Sequence, residues 1–342
     1  MGKAAIFNPY LDTLGGGERY TLSFAKVLAD EGWVVDVEWK DIKIKEKLEE
    51  RLGINLSNIN FVPDIKKGSG YDLCFWVSDG SIPLLHSRKN ILHFQVPFHD
   101  VDGRSLFNRM KLIRVNKIVC NSKFTKNVID REFGVGSIVI YPPVDVFKIK
   151  PKRKENIILY VGRFSKLVQS KRQDVLIDAF KKFSKKVPDW KLVLVGGSDI
   201  GGKEYIKELK NKSIGYNIEI LEGIPYNKEL LDIYGKTRFF WSAAGYEINE
   251  NLHPEQVEHF GITTVEAMVA GAVPLAFNAG GSKEIIKSKE NGFLWKSINE
   301  LIKITMELSE DRKLWKKLSD KASENSFLFG NEMFSRKVIG LL

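Results

Sequence analysis

The chain has 342 residues, of which 43% are hydrophobic and 28% charged, and its formal net charge is +10. This composition is typical of a globular protein, and the length exceeds what one core usually supports, so we expect two domains. The first residues carry no signal-peptide pattern and no apolar run reaches the roughly 18 residues that cross a bilayer, so we expect a cytoplasmic protein. The positive charge favours anionic partners, namely nucleotides, nucleic acid or anionic lipids, although a solvated lysine-rich surface also explains it.

Strand-like and helix-like runs alternate in the first half of the chain. The predicted helix covers residues 18–30, and the predicted strands cover residues 4–7, 34–39, 73–77, 90–94, 117–120 and 137–140. Such alternation predicts a parallel sheet with helices on both faces. Cys74 and Cys120 lie within the apolar runs, which favours reduced core thiols over a disulfide or a metal site.

Basic residues are dense between positions 104 and 131, and Leu106, Phe107, Met110 and Ile113 recur at helical spacing among them. Two interpretations fit this pattern. The helix packs its apolar face on a core, or it is a basic amphipathic helix that contacts a membrane surface. We favour the packed helix, and a peripheral contact with the inner face of the membrane stays open.

The proline pair at 142–143 and the charged segment 151–156 interrupt the pattern, so we place a domain boundary at residue 150. A second alternation follows, with predicted helices at residues 174–183, 301–308 and 312–323 and predicted strands at residues 157–161, 191–195, 218–221, 239–242 and 273–277. The chain is therefore predicted to be an α/β protein with two doubly wound Rossmann-like domains, 1–150 and 151–326. Ligands of such sheets bind beyond the carboxyl ends of the strands, so two facing domains would hold a substrate in a cleft.

Segment 258–266, with the sequence EHFGITTVE, places two carboxylates eight positions apart around a glycine turn that begins a helix. The start of a helix offers unpaired N–H groups and a partial positive charge, which suit a diphosphate. Glu266 lies about one turn into the helix, where its carboxylate can accept hydrogen bonds from sugar hydroxyls. A site for phosphate and hydroxyls together predicts a nucleotide-sugar ligand.

Three further motifs stand at predicted strand ends. Gly15–Gly17 open the first helix, but Tyr20 stands where the dinucleotide fingerprint requires its third glycine, which argues against an NAD oxidoreductase. Arg163 follows a strand and Lys171 precedes a helix, so the two cations can converge on a diphosphate, unless they are ordinary surface cations. A glycine pair at 280–281 follows the strand at 273–277 and is also compatible with an ordinary turn.

In this order the motifs resemble the retaining glycosyltransferases of family 4, whose fold is GT-B. The resemblance is carried by Gly15–Glu18, Val161–Phe164, Lys171–Asp174, the Glu258–Glu266 pair and the glycine pair at 280–281. Within the family, the chain is most similar to the GDP-mannose-dependent α-1,2-mannosyltransferases that extend lipid-linked oligosaccharides. His93, in the segment His93-Phe94-Gln95-Val96-Pro97, is similar to the histidine of their His-Tyr-Pro segment, although a lone histidine is more often structural.

The resemblance implies a role for each matching residue. The implied catalytic residues are His93, Glu258, Arg163 and Lys171. The implied donor-binding residues are Gly16, Gly17, Gly162, Arg163, Lys171, Glu258, Phe260, Gly261, Ile262, Thr263 and Glu266. The resemblance also implies no metal and no cofactor beyond the donor, which is GDP-mannose or UDP-glucose, and a glycan or lipid-linked acceptor. The last residues, 327–342, are expected to return to the first domain through Phe329, Phe334, Val338 and Leu341.

Two departures from the family pattern affect these expectations. The spacing between Arg163 and Lys171 is longer than usual, so Lys166 competes with Lys171 for the phosphate role. Residues 245–257 form an acidic, polar insertion that we expect to lie over the cleft. Two other functions remain as alternatives: a nucleotide-sugar epimerase of the same fold, and a basic nucleic-acid-binding protein, which only the net charge favours because no nucleic-acid motif accompanies it.

Overall fold

A computed structural model describes residues 2–166, 169–198 and 201–342. The chain divides into two compact units. Unit 1 comprises Met1–Pro143 and Asn331–Leu342, and unit 2 comprises Val144–Gly330. The boundaries therefore follow Pro143 and Gly330 rather than residues 150 and 326.

Unit 1 is built on a parallel sheet of seven strands in the order β3-β2-β1-β4-β5-β6-β7. Its strands are β1 Lys3–Phe7, β2 Val34–Glu38, β3 Ile59–Val62, β4 Leu73–Val77, β5 Lys89–Phe94, β6 Lys117–Cys120 and β7 Ile138–Val139. Its helices are α1 Gly16–Asp30, α2 Ile44–Leu52, α3 Leu106–Leu112, α4 Lys123–Phe133 and, from the end of the chain, α12 Asn331–Ile339. Short 3-10 turns lie at Leu11–Thr13 and Lys66–Gly68.

Unit 2 repeats this plan with six parallel strands in the order β10-β9-β8-β11-β12-β13. Its strands are β8 Ile157–Val161, β9 Lys191–Gly196, β10 Ile218–Glu222, β11 Phe239–Ser242, β12 Val273–Phe277 and β13 Phe293–Trp295. Its helices are α5 Gln173–Ser184, α6 Gly202–Ser213, α7 Lys228–Lys236, α8 Ile262–Val269, α9 Ser282–Ile285, α10 Ile298–Glu310 and α11 Arg312–Ser326, with 3-10 turns at Pro254–Gln256 and Phe327–Phe329. In both units the strand order reverses beside the first strand, as in Rossmann-like folds, so the predicted α/β class is confirmed.

The last helix, α12, completes the core of unit 1. Phe334, Val338 and Leu341 are buried in the main core of that unit, where the Phe334 ring meets Tyr20 edge-on at 5.1 Å. Phe329 behaves differently from the prediction. It lies in unit 2, and its ring packs edge-on against Phe260 at 5.4 Å.

The two cysteines are buried free thiols, as predicted. Burial raises the pKa of Cys74 and of Cys120 to about 12, so both are protonated and unreactive at neutral pH.

The favoured interpretation of residues 106–113 is wrong. A helix does form there, but Leu106, Phe107, Met110 and Ile113 are all exposed, and no residue of α3 is buried. The helix packs on a core through the partly buried Leu112. None of the helices in the described part of the chain combines the length and apolar character needed to span a bilayer.

We predict that Phe334→Ala destabilises unit 1 by about 3–5 kcal/mol, because it opens a cavity beside Tyr20. Ile339→Ala is the matched control, since Ile339 lies on the same helix but is 42% exposed, against 3% for Phe334, and it should cost less than about 1 kcal/mol. Urea titration of the two variants would measure both effects. Equal losses would contradict the packing of α12 described above.

Candidate active site

Tyr160 lies near the carboxyl end of β8, the first strand of unit 2, and Arg163 follows that strand. The Tyr160 hydroxyl lies beneath Gly162, where a built Cβ would come within 2.4 Å of it. Burial, and then the nearby Glu258 carboxylate, raise the pKa of Tyr160 well above its usual value, while Arg163 opposes the shift. Arg163 itself is exposed at the strand end. Tyr160 therefore lies within electrostatic range of two predicted site residues.

Lys171 and Glu258 form a direct ion pair in this region. Lys171 Nζ donates to Glu258 Oε2 at 2.9 Å, and the two side chains are only 12% and 16% exposed. Gln173, the first residue of α5, bonds the residues that follow β8, because its side-chain amide donates to the backbone carbonyl of Arg163 at 2.9 Å. Mostly excluded from water, the ammonium and the carboxylate interact more strongly than a surface pair would.

The competing lysine lies elsewhere. Lys166 is exposed and pairs with Glu208 on α6, and its ammonium lies 5.4 Å from the centre of the Tyr205 ring. Leu167 and Val168, also part of the lengthened spacing, lie outside the described residues. Lys171, and not Lys166, is thus the lysine beside Glu258.

The N-terminus of α8 follows directly after Glu258. Gly261, the N-cap residue, has a backbone φ of +110°, which residues with a Cβ rarely adopt. As a glycine it has no side chain to cap the helix. Helix geometry leaves the first amide groups, those of Ile262 and Thr263, without intrahelical acceptors. Both residues are only partly buried. An anion could therefore bind these N–H groups at the positive end of the helix.

Glu266 lies one turn further along α8 and is 3% exposed. The hydroxyl of the buried Tyr234 on α7 donates to Glu266 Oε2 at 2.8 Å. This hydrogen bond fixes the orientation of the carboxylate, whose oxygens act as hydrogen-bond acceptors. Nothing in the sequence singled out Tyr234, because it occupies an ordinary apolar position of α7.

The glycine pair at 280–281 is more than an ordinary turn. The Gly281 N–H donates to the carbonyl of Glu258 at 2.6 Å. A Cβ built at Gly280 would lie 2.1 Å from that carbonyl oxygen, and one at Gly281 would lie 2.3 Å from the carbonyl oxygen of His259. Only glycine permits this approach, so the turn holds the backbone that enters α8 in place.

The insertion at residues 245–257 packs within unit 2. Arg172 Nη1 donates to the Tyr246 carbonyl at its beginning, and Gln169 Nε2 donates to the Val257 carbonyl at its end. Between them, the Glu250 carboxylate accepts a hydrogen bond from the Gly280 N–H at 2.6 Å and pairs with Lys283. The insertion is therefore attached both to the segment around Lys171 and to the glycine turn.

Three of the predicted site residues belong to unit 1. Gly16 and Gly17 form the first turn of α1, and Glu18 caps that helix by accepting from the Gly15 N–H at 2.6 Å. The Gln95 side chain lies against Gly17 and donates to its carbonyl at 3.2 Å. Gly16 is exposed, which leaves the start of α1 accessible to a ligand.

His93 requires a correction. Its side chain points into the core of unit 1, with no exposed surface, and stacks on the rings of Tyr20 at 4.2 Å and Phe75 at 5.2 Å. Burial lowers the pKa of His93 to about 3, so the ring is neutral, with its Nδ1 hydrogen-bonded to the Val119 carbonyl. A ring without accessible atoms cannot contact a sugar, and the geometry contradicts the predicted catalytic role.

The sequence also matches a known protein family, and the match lies almost entirely within unit 2. The family model for glycosyl transferases group 1 matches residues 143–325, more than half of the chain. The chain is a glycosyltransferase with the GT-B fold, and it belongs to the glycosyl transferases group 1 family.

Individual relatives are more distant. The chain is 27% identical over 242 residues to the GDP-Man:Man(3)GlcNAc(2)-PP-Dol alpha-1,2-mannosyltransferase of Dictyostelium discoideum, an alignment that covers 67% of this chain but only 46% of that protein. An uncharacterised glycosyltransferase of Haemophilus influenzae is 26% identical over 375 aligned positions, with 100% of both chains covered. The crystal structure of Anabaena HepE in complex with UDP-glucose superposes with a TM-score of 0.76 over 99% of both chains at 18% identity, which shows a shared fold.

We predict that Tyr234→Phe lowers the free energy of unfolding by about 1.5–3 kcal/mol, because the buried Glu266 carboxylate loses a hydrogen bond. Tyr216→Phe is the control, since Tyr216 is only partly buried in the same unit, and it should cost less than about 0.5 kcal/mol. Urea titration would compare the two variants. A neutral Tyr234→Phe would mean that the Glu266 carboxylate does not depend on this hydroxyl.

A second prediction concerns the other end of α8, where Lys154 Nζ donates to the carbonyls of Gly235 and Ala270. Burial lowers the pKa of Lys154 to about 7, whereas an unfolded lysine titrates near about 10.4. The buried charge therefore penalises the fold fully below pH 7, and the penalty is relieved as the pH rises towards the unfolded pKa. From pH 6 to pH 9 the wild type should gain about 2.7 kcal/mol of stability relative to Lys154→Met. Urea titrations at the two pH values would show no such gain if Lys154 titrates normally.

Proposed function

We propose that this glycosyltransferase is a retaining, metal-independent enzyme that transfers mannose from GDP-mannose to a hydroxyl of a lipid-linked glycan. The observation that carries the proposal is the largely buried Lys171–Glu258 pair, whose carboxylate stands just before the uncapped N-terminus of α8. This arrangement combines a fixed cation, a carboxylate and helix amides, which suit the diphosphate and the hydroxyls of one nucleotide sugar.

Donor binding would redistribute the partners of this pair. The diphosphate would be held by the Ile262 and Thr263 amides and by Lys171, with Arg163 as a second cation. Glu258 would then accept hydrogen bonds from the sugar in place of the lysine. Glu266, held by Tyr234, would accept hydrogen bonds from the ribose hydroxyls.

The same groups account for the chemistry. The bond between the anomeric carbon and the diphosphate oxygen breaks, and its electron pair stays on the diphosphate. That developing charge would be stabilised by Lys171, Arg163 and the α8 N-terminus. In other transferases a divalent cation stabilises the same charge. With retained configuration, the acceptor hydroxyl attacks from the face that the phosphate leaves, so the departing phosphate oxygen is the nearest base for its proton.

Two observations bear on the donor, and they differ. The Dictyostelium relative is named for GDP-mannose, and the HepE structure contains UDP-glucose. We favour GDP-mannose because the sequence similarity to the Dictyostelium protein is higher than the similarity to HepE. UDP-glucose is the second donor to test, and a glycan on a lipid is the acceptor class that the relative's name indicates.

We predict that the purified chain releases nucleoside diphosphate from GDP-mannose faster than from UDP-glucose when a lipid-linked glycan acceptor is present. Lys171→Met should lower turnover by about 10²–10³-fold, because the leaving diphosphate loses a preorganised cation and Glu258 loses its partner. The measurement is diphosphate release, combined with analysis of the acceptor for a new α-linked sugar.

The matched control is Lys166→Met, a lysine of the same segment that pairs with Glu208 and lies away from Glu258. It should retain wild-type turnover. Loss of activity in Lys166→Met with none in Lys171→Met would reverse the assignment of the phosphate-binding lysine. An epimerised free sugar nucleotide with an unchanged acceptor would replace the transferase reaction by an epimerase.

A further inference from the structure

Helix α3 of unit 1 and its C-cap residue, Ile113, present a row of large apolar side chains to solvent. Leu106 is 77% exposed, Phe107 67%, Met110 59% and Ile113 83%. These four residues, here termed the α3 face, lie at positions i, i+1, i+4 and i+7, which share one side of a helix. Scattered exposed apolar residues are normal, but a contiguous group of four marks an interaction surface.

The orientation of the α3 face is fixed by contacts on the opposite side. Leu112 packs against the cluster around Phe94 and Phe133. The Asn108 side chain donates to the Asp102 carbonyl at 3.0 Å, and Ser105 caps the start of the helix. The helix therefore cannot turn its apolar side inward without breaking these contacts.

The sequence around the α3 face is predominantly basic, with the exposed Asp100 and Asp102 as the acidic residues just before the helix. Residues 104–126 contain no Asp or Glu, and their cations are Arg104, Arg109, Lys111, Arg114, Lys117, Lys123 and Lys126. The acidic groups on the adjoining helix α4 are engaged locally. Glu132 accepts from the Val101 and Gly103 amides, and Asp130 pairs with Lys126.

We infer that the α3 face inserts into the surface of an anionic lipid bilayer, with the surrounding cations at the headgroups. The inference deepens the proposed function, on which it rests for the lipid-linked acceptor that such a membrane would carry. Aliphatic and aromatic side chains reach the acyl boundary in interfacial helices, while Lys and Arg remain with the phosphates. The Lys111 ammonium already lies 4.2 Å from the centre of the Phe107 ring, so cation and apolar side chain approach the membrane together.

Charge favours a bilayer over a second copy of the chain. Two α3 faces brought together would confront their own cations across the contact, and like charges oppose such pairing. An anionic surface neutralises those cations, and it requires no shaped groove, which a short convex helix does not offer.

The test is co-sedimentation of the full chain with phosphatidylcholine vesicles that contain phosphatidylglycerol, compared with vesicles of phosphatidylcholine alone. We predict binding to the anionic vesicles, little binding to the neutral ones, and weaker binding as salt is raised. The double variant Phe107→Ser, Ile113→Ser should bind the anionic vesicles at least about tenfold more weakly. Arg109→Gln with Lys111→Gln should also weaken binding, since each cation near the surface contributes.

Matched controls come from exposed residues elsewhere. Ile42→Ser with Ile214→Ser removes side chains that are 64% and 75% exposed, and Lys47→Gln with Lys207→Gln removes two exposed lysines. Both should bind as the wild type does. Three outcomes would overturn the inference: no binding by the wild type, equal binding by the α3 variant, or a wild-type dimer that the α3 variant abolishes.

A separate readout distinguishes this inference from the proposed function. Nucleoside diphosphate release from GDP-mannose with a water-soluble acceptor should be unchanged in the α3 variants, because none of these residues lies in the donor site. Vesicle binding without any donor turnover would support the membrane inference and contradict the proposed reaction. Turnover without vesicle binding would support the proposed reaction and contradict the membrane inference.

Discussion

The contact between two backbone turns determines the geometry of the candidate site. The carbonyls of Glu258 and His259 lie so close to Gly280 and Gly281 that neither position has room for a Cβ. This contact fixes the direction in which the chain enters α8. The positions of Glu258 before the helix, of the first amides, which have no intrahelical acceptors, and of Glu266 one turn later all follow from that entrance. A side chain at position 280 or 281 would move every one of these groups together.

Helix α8 is suited to hold an anion because the surrounding residues immobilise the helix itself. Six of its eight residues are buried, so the helix is part of the core of unit 2. Its C-terminal carbonyl at Ala270 is bonded by the Lys154 ammonium, a cation at the negative end of the dipole. Tyr234 holds the helix from the side through Glu266. The N-terminus of α8 has no capping side chain. A diphosphate bound there would accept hydrogen bonds from the first amides of the helix.

The sequence predicted the parts of the fold where pattern and burial coincide. Strands β4, β6, β8, β11 and β12 have the predicted bounds, because a strand covered on both faces is a continuous apolar run. Helix α2 was missed because its three buried residues, Ile44, Leu48 and Leu52, are spread among charges. The Glu258–Glu266 spacing was readable from the sequence, but Tyr160, Tyr234 and Glu250 were not, since tertiary packing chooses their partners. For His93 and α3 the predicted place along the chain agrees with the structure, but the predicted orientation of the side chains does not. Periodicity alone does not tell which face of an element meets a core.

The insertion at residues 245–257 shows how a departure from the family pattern can be compatible with a fixed site. A free polar loop would leave the segment around Lys171 and the glycine turn independent of each other. Here Arg172 and Gln169 bond the insertion at its two ends, and Glu250 bonds Gly280 between them. Gln169 and Arg172, on either side of Lys171, and the extra residues before Glu258 therefore support one another. Since the insertion bonds both segments that carry the ion pair, differences in its sequence would act on Lys171 and Glu258 through the backbone, without direct contact with a ligand.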